Sequence, residues 1–189
     1  MEQIENKKFN KTNFSTNPLM KGEYEFCVFN SCDFSNADLS EIKFIECEFL
    51  GCNLSLAKLT KTTFRDVKFK ECKMLGLLFY NCSEFGLTVR FDTCNLNHSS
   101  FYKRKIKKTS FINSRLNEVD FTECDLTSSV FDKCDLTSAK FENTVIEKAD
   151  FRTSFNYSID PDLNKMKKAK FSLTNIAGLL DKYDIEIES

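Results

Sequence analysis

Tryptophan is absent from this 189-residue chain, histidine occurs once, proline twice and glycine five times. A single histidine excludes a His-rich metal site. Glycine and proline fall below their usual shares of about 7% and 5%, which argues against an ordinary β-sandwich or barrel built on Gly/Pro turns. An excess of one charge is missing too: 27 Lys plus Arg against 28 Asp plus Glu leave a net charge of −1. That balance gives no support to a generic nucleic-acid binder, which is usually basic, so direct nucleic-acid contact is not expected. With 13% aromatic residues the composition also argues against a disordered chain. The longest apolar run, Leu77-Leu78-Phe79-Tyr80, is far short of the roughly 20 residues that cross a bilayer, so no membrane association is expected. Met1 to Asn10 lacks the apolar stretch of a signal peptide. The default compartment is a reducing cytoplasm, where nine Cys, an odd number, cannot be assumed to form disulfides.

What the chain has in excess is phenylalanine, 20 residues in all, and it is not scattered. Large apolar residues fall every five positions from Phe9 through Phe14, Leu19, Tyr24 and Phe29 to Phe79. A second unbroken series runs from Phe91 through Leu96, Phe101, Ile106 and Phe111 to Phe151. Sixteen of the 20 Phe occupy this one slot, and the two series are offset by a single two-residue slip between Phe79 and Phe91. Two positions before each large residue lies a small one, and every Cys (27, 32, 47, 52, 72, 82, 94, 124 and 134) falls there.

A period of five fits no regular element. Five residues advance an α-helix by about 500°, so the large residues would spiral around it and leave no apolar face. A long strand requires period two throughout. Small-x-large is one strand-like alternation that puts both apolar residues on the same side. The next two residues, mostly polar, reset the direction. The chain therefore turns a corner every five residues and forms a solenoid filled by ladders of like residues. Cys32, Cys52 and Cys72 lie 20 apart, as do Cys27 and Cys47. That lag indicates four quintets per coil, stacking Phe91, Phe111, Phe131 and Phe151 in one column and Leu96, Leu116 and Leu136 in the next. At roughly 4.8 Å per coil the 28 quintets give about seven coils and a rod of about 34 Å.

Cys-Asp-Phe-Ser-Asn-Ala-Asp-Leu-Ser (32–40), Cys-Asp-Leu-Thr-Ser (124–128 and 134–138) and Lys-Ala-Asp-Phe-Arg (148–152) resemble the Ala-(Asp/Asn)-Leu-x-x consensus of pentapeptide-repeat proteins. The resemblance covers about residues 9 to 155. It implies an all-β fold, a right-handed quadrilateral β-helix, with the handedness supplied by the family alone. Residues 1–155 are assigned to the β-helix, with the slip at 80–90, and 156–189 to a C-terminal cap or dimerisation segment.

In that segment Ser172 or Thr174 can cap a short helix carrying Ile176, Leu179 and Leu180, and Asp184 to Ile187 alternate like a final strand. An open solenoid end exposes apolar rings and strand edges, so it needs a cap or a partner. The segment reads either as a cap on its own coil or as a dimer interface. It resembles the end of quinolone-resistance (Qnr-like) members, whose C-terminal helix and strand exchange contacts across a twofold axis. The resemblance implies a homodimer held by Leu173, Ile176, Leu179, Leu180, Tyr183, Ile185 and Ile187.

The Cys spacings are those of the repeat and not of zinc knuckles, so the thiols read as core and no metal is expected. His98 lies outside both inward slots and reads as solvent-facing. Acid catalysis needs a pocket that shifts a carboxylate pKa, and a filled solenoid offers none; neither an enzyme nor a cofactor is expected. Charge is banded: residues 21–50 net −5 and residues 111–150 net −5, while Lys103-Arg104-Lys105, Lys107-Lys108 and Lys165 to Lys170 are basic. These bands read either as solvated faces or as a partner-binding acidic face of Glu118, Asp120, Glu123, Asp125, Asp132, Asp135, Glu142, Glu147 and Asp150. For Qnr-like proteins the proposed role is DNA mimicry on type II topoisomerases, DNA gyrase and topoisomerase IV, protecting them from quinolones. The alternative is an interaction scaffold for another partner. With only a two-residue slip, the chain resembles the members without long loops.

Overall fold

The structure, a computed structural model, describes residues 2–187. Eleven short strands follow one another along the chain: β1 (Glu2–Glu5), β2 (Lys8–Asn10), β3 (Gly22–Glu25), β4 (Val28–Asn30), β5 (Lys43–Ile45), β6 (Glu48–Leu50), β7 (Thr63–Arg65), β8 (Val67–Lys70), β9 (Val89–Asp92), β10 (Ser110–Ile112) and β11 (Val130–Asp132). They form two parallel sheets, β1-β3-β5-β7 and β2-β4-β6-β8-β9-β10-β11. Phe9 pairs with Phe29, Phe29 with Phe49 and Phe49 with Phe69, so one coil is 20 residues. Across the slip the lag becomes 22, pairing Phe69 with Phe91, and then returns to 20 through Phe111 and Phe131.

The seven-stranded sheet is the first side of the rod. The second side is a line of single parallel bridges, Asn13–Asp33–Asn53–Lys73–Asn95–Arg115–Asp135–Phe155. The third carries Ser100–Asp120–Lys140, and the fourth is the four-stranded sheet, continued by Lys105–Asp125–Val145–Lys165. The repeat starts one quintet earlier than the Phe9 series indicates, because Ile4 is buried in the fourth-side column. It also persists beyond Phe151: Asp150 bridges Lys170, and the Phe171 ring stacks on Phe151 with centroids 5.3 Å apart.

The inward columns account for the Phe content. Phe91, Phe111, Phe131 and Phe151 stack at 5.1, 4.8 and 4.6 Å, and Phe111 meets Phe121 across the core edge to face at 5.9 Å. Both arrangements suit the aromatic quadrupole. The small slot has a second duty beyond fitting the space. Where it is a thiol or hydroxyl, its side chain often donates to the carbonyl of the large residue 23 positions earlier, one coil below. Cys47 Sγ reaches Tyr24 O at 3.2 Å and Cys52 Sγ reaches Phe29 O at 3.2 Å. Hydroxyls do the same: Thr62 to Leu39 O at 2.7 Å, Thr144 to Phe121 O at 2.9 Å and Ser154 to Phe131 O at 2.6 Å. Cysteine suits the slot because its thiol is small, apolar and still a weak donor.

Corners recur at the second residue after most of the large ones, where φ is positive. Asn36, Leu56, Lys61, His98, Glu118 and Glu123 all lie between +56° and +61°. Such a turn costs a non-glycine residue about 1–2 kcal/mol. Hydrogen bonds to the adjoining coil hold it, as between Lys61 N and Asn81 O at 2.7 Å.

The slip is resolved as a bulge at 83–87. Ser83 N still donates to Thr62 O, but the fourth-side ladder resumes only where Thr88 N meets Phe64 O, both at 2.8 Å. The extra residues put Phe85 into solvent and Gly86 at φ +84°. Arg104, standing in a small slot, turns its guanidinium onto Tyr80 O and Cys82 O, at 3.0 Å to the latter.

The C-terminal segment differs from expectation in two respects. Leu173–Leu179 forms a 3-10 helix with Ser172 at its start but no side-chain cap, and 184–187 form no strand. Gly178 lies so close to Tyr157 that a Cβ would fall 2.0 Å from its carbonyl oxygen, and the Gly178 carbonyl is already taken by Ile159 N at 2.8 Å. The segment is thus anchored in mid-turn, which suits a short tight helix. Residues 184–187 pair with no strand among the described residues.

Candidate partner-binding surface

Burial pushes the Cys47, Cys82 and Cys134 thiols up to about 12, so they stay protonated and unreactive near neutral pH.

The nine carboxylates proposed for one face are placed around all four sides. Asp132 and Asp150 lie on the first side, Asp135 on the second, Asp120 on the third and Asp125 on the fourth. Glu142 and Glu147 follow the third- and fourth-side columns, while Glu118 and Glu123 occupy left-handed corners. They form belts around the rod, not a stripe along it. Four of them also build the turns. Asp120, Asp125, Asp135 and Asp150 accept the backbone N–H two residues on, from Thr122, Thr127, Thr137 and Arg152, at 2.9, 3.1, 3.2 and 3.2 Å. Burial by itself would raise the Asp125 and Asp135 carboxyls, but hydrogen bonds led by Thr127 and Thr137 outweigh it and hold both below the usual carboxylate range. The Arg152 guanidinium does the same for Asp150. The signal for this role was in the sequence as repeated Asp-Leu-Thr, a side-chain acceptor two residues before a Thr N–H.

Many of the charges are compensated from the next coil. Lys43 meets Glu23 at 3.0 Å, Lys68 meets Glu48 at 2.8 Å, Lys103 meets Glu123 at 3.6 Å and Lys107 meets Asp125 at 3.1 Å. His98 Nδ1 lies 3.3 Å from Glu118, with both side chains exposed. Exposed pairs of this kind contribute about 0–1 kcal/mol each. Their effect is to alternate the sign of charge along the axis.

The second candidate surface is the C-terminal end. Leu179 packs on the core and Leu180 is half-buried. Leu173 is 91% exposed, Ile185 56% and Ile176 36%, with Tyr183 and Ile187 also open to solvent. Leu163 and Phe155 add apolar area that the sequence reading omitted. The segment is tied down by Asn175 Nδ2 donating to Ser154 O at 2.9 Å and by Lys182, which pairs with Asp160 at 2.7 Å and with Asp162.

Among the described residues, no helix is long and apolar enough to cross a membrane. No curated sequence matches the chain. Solved structures do. The chain superposes on the fluoroquinolone resistance protein QnrB1, plasmid-mediated, with TM-score 0.64 over 98% of this chain and 97% of the other, at 18% identity. Full-length QnrB1 matches with TM-score 0.56 over 97% and 100%, also at 18% identity. HetL, a pentapeptide-repeat protein involved in heterocyst differentiation regulation from the cyanobacterium Nostoc, matches with TM-score 0.50 at 14% identity, over 90% of this chain and 88% of that one. The family model for a pentapeptide repeat region matches residues 23–88 and 87–151. With the five-residue ladder running the length of the rod, the chain belongs to the pentapeptide-repeat family.

Proposed function

We propose that this protein is a non-enzymatic, homodimeric rod of the Qnr type that binds a type II topoisomerase, DNA gyrase or topoisomerase IV, and shields it from quinolones. The observation that carries this reading is the end-to-end correspondence with QnrB1, which includes the non-repetitive tail. The dimer joins through Leu173, Ile176, Tyr183, Ile185 and Ile187, apolar side chains left open at the end of the rod, with Leu179 and Leu180 supporting them from within. The belts around Glu118, Glu123 and Asp132 are the surface that meets the basic DNA-binding saddle of the enzyme. The test is gyrase supercoiling in the presence of a fluoroquinolone: adding the purified protein restores supercoiled product, and absence of rescue at tens of micromolar removes the reading. Light scattering tests the dimer separately.

A second reading is favoured by the ion pairs between coils, such as Lys103 with Glu123 and Lys107 with Asp125. Alternating signs along the axis suit an interaction scaffold for some other protein better than they suit a copy of a uniformly charged duplex. Gyrase pull-down separates the two.

A further inference from the structure

We propose that the fourth side at the slip is a docking surface for a short acidic segment of a protein partner, anchored by an apolar side chain against Phe85. The inference holds whichever protein the rod engages. Phe85 is 84% exposed, and no turn requirement explains a bare aromatic ring there. The bulge that carries it lies on the fourth side, with Gly86 over Thr63 and Arg65 of β7, and that side continues in the next coil through Lys105.

The surroundings are basic. Between residues 103 and 108 there are five bases and no acid. Lys103 and Lys107 are engaged by Glu123 and Asp125, and Arg104 by the backbone carbonyls, but Arg65, Lys105 and Lys108 make no ion pair among the described residues. Glu84 and Asp66 are the nearby carboxylates. At the adjoining corner a cavity of about 390 Å³ is lined by four bases, Lys68, Arg90, Lys107 and Lys108, and three acids, Glu46, Glu48 and Asp66, and it is large enough for one side chain.

An exposed aromatic ring on a side whose unpaired bases, Arg65, Lys105 and Lys108, outnumber the nearby carboxylates Glu84 and Asp66 selects an occupant with acidic charge and an apolar anchor. The basic zone is short. Residues 21–50 on one side of it and 111–150 on the other each net −5. A long polyanion following the axis would run onto both acidic belts, whereas a few acidic residues of a protein segment fit between them. That contrast favours an acidic peptide over a nucleic acid.

The test is fluorescence anisotropy of the intact protein with a labelled peptide of Glu residues interrupted by Leu, with oligothymidine as competitor. The expected result is saturable binding that weakens as salt rises. Phe85→Ala should weaken it on the order of tenfold without changing its salt dependence, the loss of an anchor and not of charge. Lys105→Gln with Lys108→Gln should flatten the salt dependence. These side chains are exposed, so an unchanged melting temperature marks intact variants. Absence of saturable binding, indifference to Phe85→Ala, or displacement of the peptide by oligothymidine would each overturn the proposal.

Discussion

Two halves of the same rod meet at the slip, and they solve one packing problem differently. Before it, Phe fills the first side (Phe29, Phe49, Phe69) and the adjacent fourth side (Phe44, Phe64), while the third side carries Leu39 and Leu59. The second Phe column then moves to the third side, opposite the first, starting with Phe79 just ahead of the bulge and continuing as Phe101, Phe121 and Phe141, and Ile106 and Leu126 take the fourth side. The slots change as well, from mainly Cys (Cys27, Cys32, Cys47, Cys52, Cys72) to mainly hydroxyls (Ser99, Thr109, Ser114, Ser129, Thr144, Ser154). Ser129, Thr144 and Ser154 cap the carbonyl 23 positions earlier just as Cys47 does, whereas Ser114 turns to Ile112 O. The cross-section constrains the filled volume and the presence of a donor, and leaves residue identity free, as expected of a close-packed interior.

The strongest way to break this equivalence is to empty one ring in each half. Phe29→Ala and Phe111→Ala each remove a fully buried ring stacked from both sides, and each should cost about 3–5 kcal/mol. Equal losses in a single urea transition would show one cooperative unit; separate transitions would divide the rod at the bulge. Next in size, Gly178→Ala drives a Cβ into Tyr157 O and should free the tail, with overpacking worth about 1–3 kcal/mol. Limited proteolysis should then cut near 170–180, and any dimer should dissociate. Arg104→Ala strips a donor from Tyr80 O and Cys82 O at the junction, costing about 1–3 kcal/mol, and amide exchange should rise around 80–88 before it rises elsewhere.

A smaller effect compares the donors themselves. Ser154→Ala leaves Phe131 O without its 2.6 Å partner and should cost about 1 kcal/mol. Cys134→Ala, which gives up only a 3.3 Å thiol contact to Phe111 O, should lose less hydrogen-bond energy, measured as the shift in urea midpoint. The smallest effect is acid sensitivity. Asp125, Asp135 and Asp150 have depressed pKa values in the folded state. Their stabilisation is present above the unfolded carboxylate pKa of about 3.9 and lost as pH falls through the folded values. Melting temperature should therefore drop below about pH 4, and the drop should shrink in Asp135→Asn.

The period-five columns made the fold legible because each buried position repeats its neighbour one coil away. Ile4 escaped notice because it stands among Glu2, Gln3 and Glu5, with no second apolar residue to mark its slot. Phe85 escaped for a different reason: a slip can be located only between the last and first intact quintets, and which side chain it expels depends on where the ladder reconnects. The acidic residues were easy to count and hard to place. A 20-residue coil distributes neighbours in sequence around four sides, so the cluster from Glu118 to Asp150 reads as contiguous in the chain while its members face different directions. The tail was legible as amphipathic, but its 3-10 form depends on Gly178 meeting Tyr157, a tertiary contact that no local pattern encodes.

The capping of large-residue carbonyls such as Phe29 O and Phe131 O from the coil above makes the rod a ruler. Every coil presents an acceptor and the next supplies its donor, so the series has no internal reason to stop. Asn164, still in a small-residue slot, caps Phe141 O from 23 positions on, and beyond it Asn175 reaches Ser154 O from chain that no longer follows the five-residue rhythm. Inserting or deleting 20 residues in register should therefore change the distance between the bulge and the terminal surface in steps of about 4.8 Å while leaving both intact. The spacing of two binding surfaces along this protein is graduated, and its smallest division is one coil.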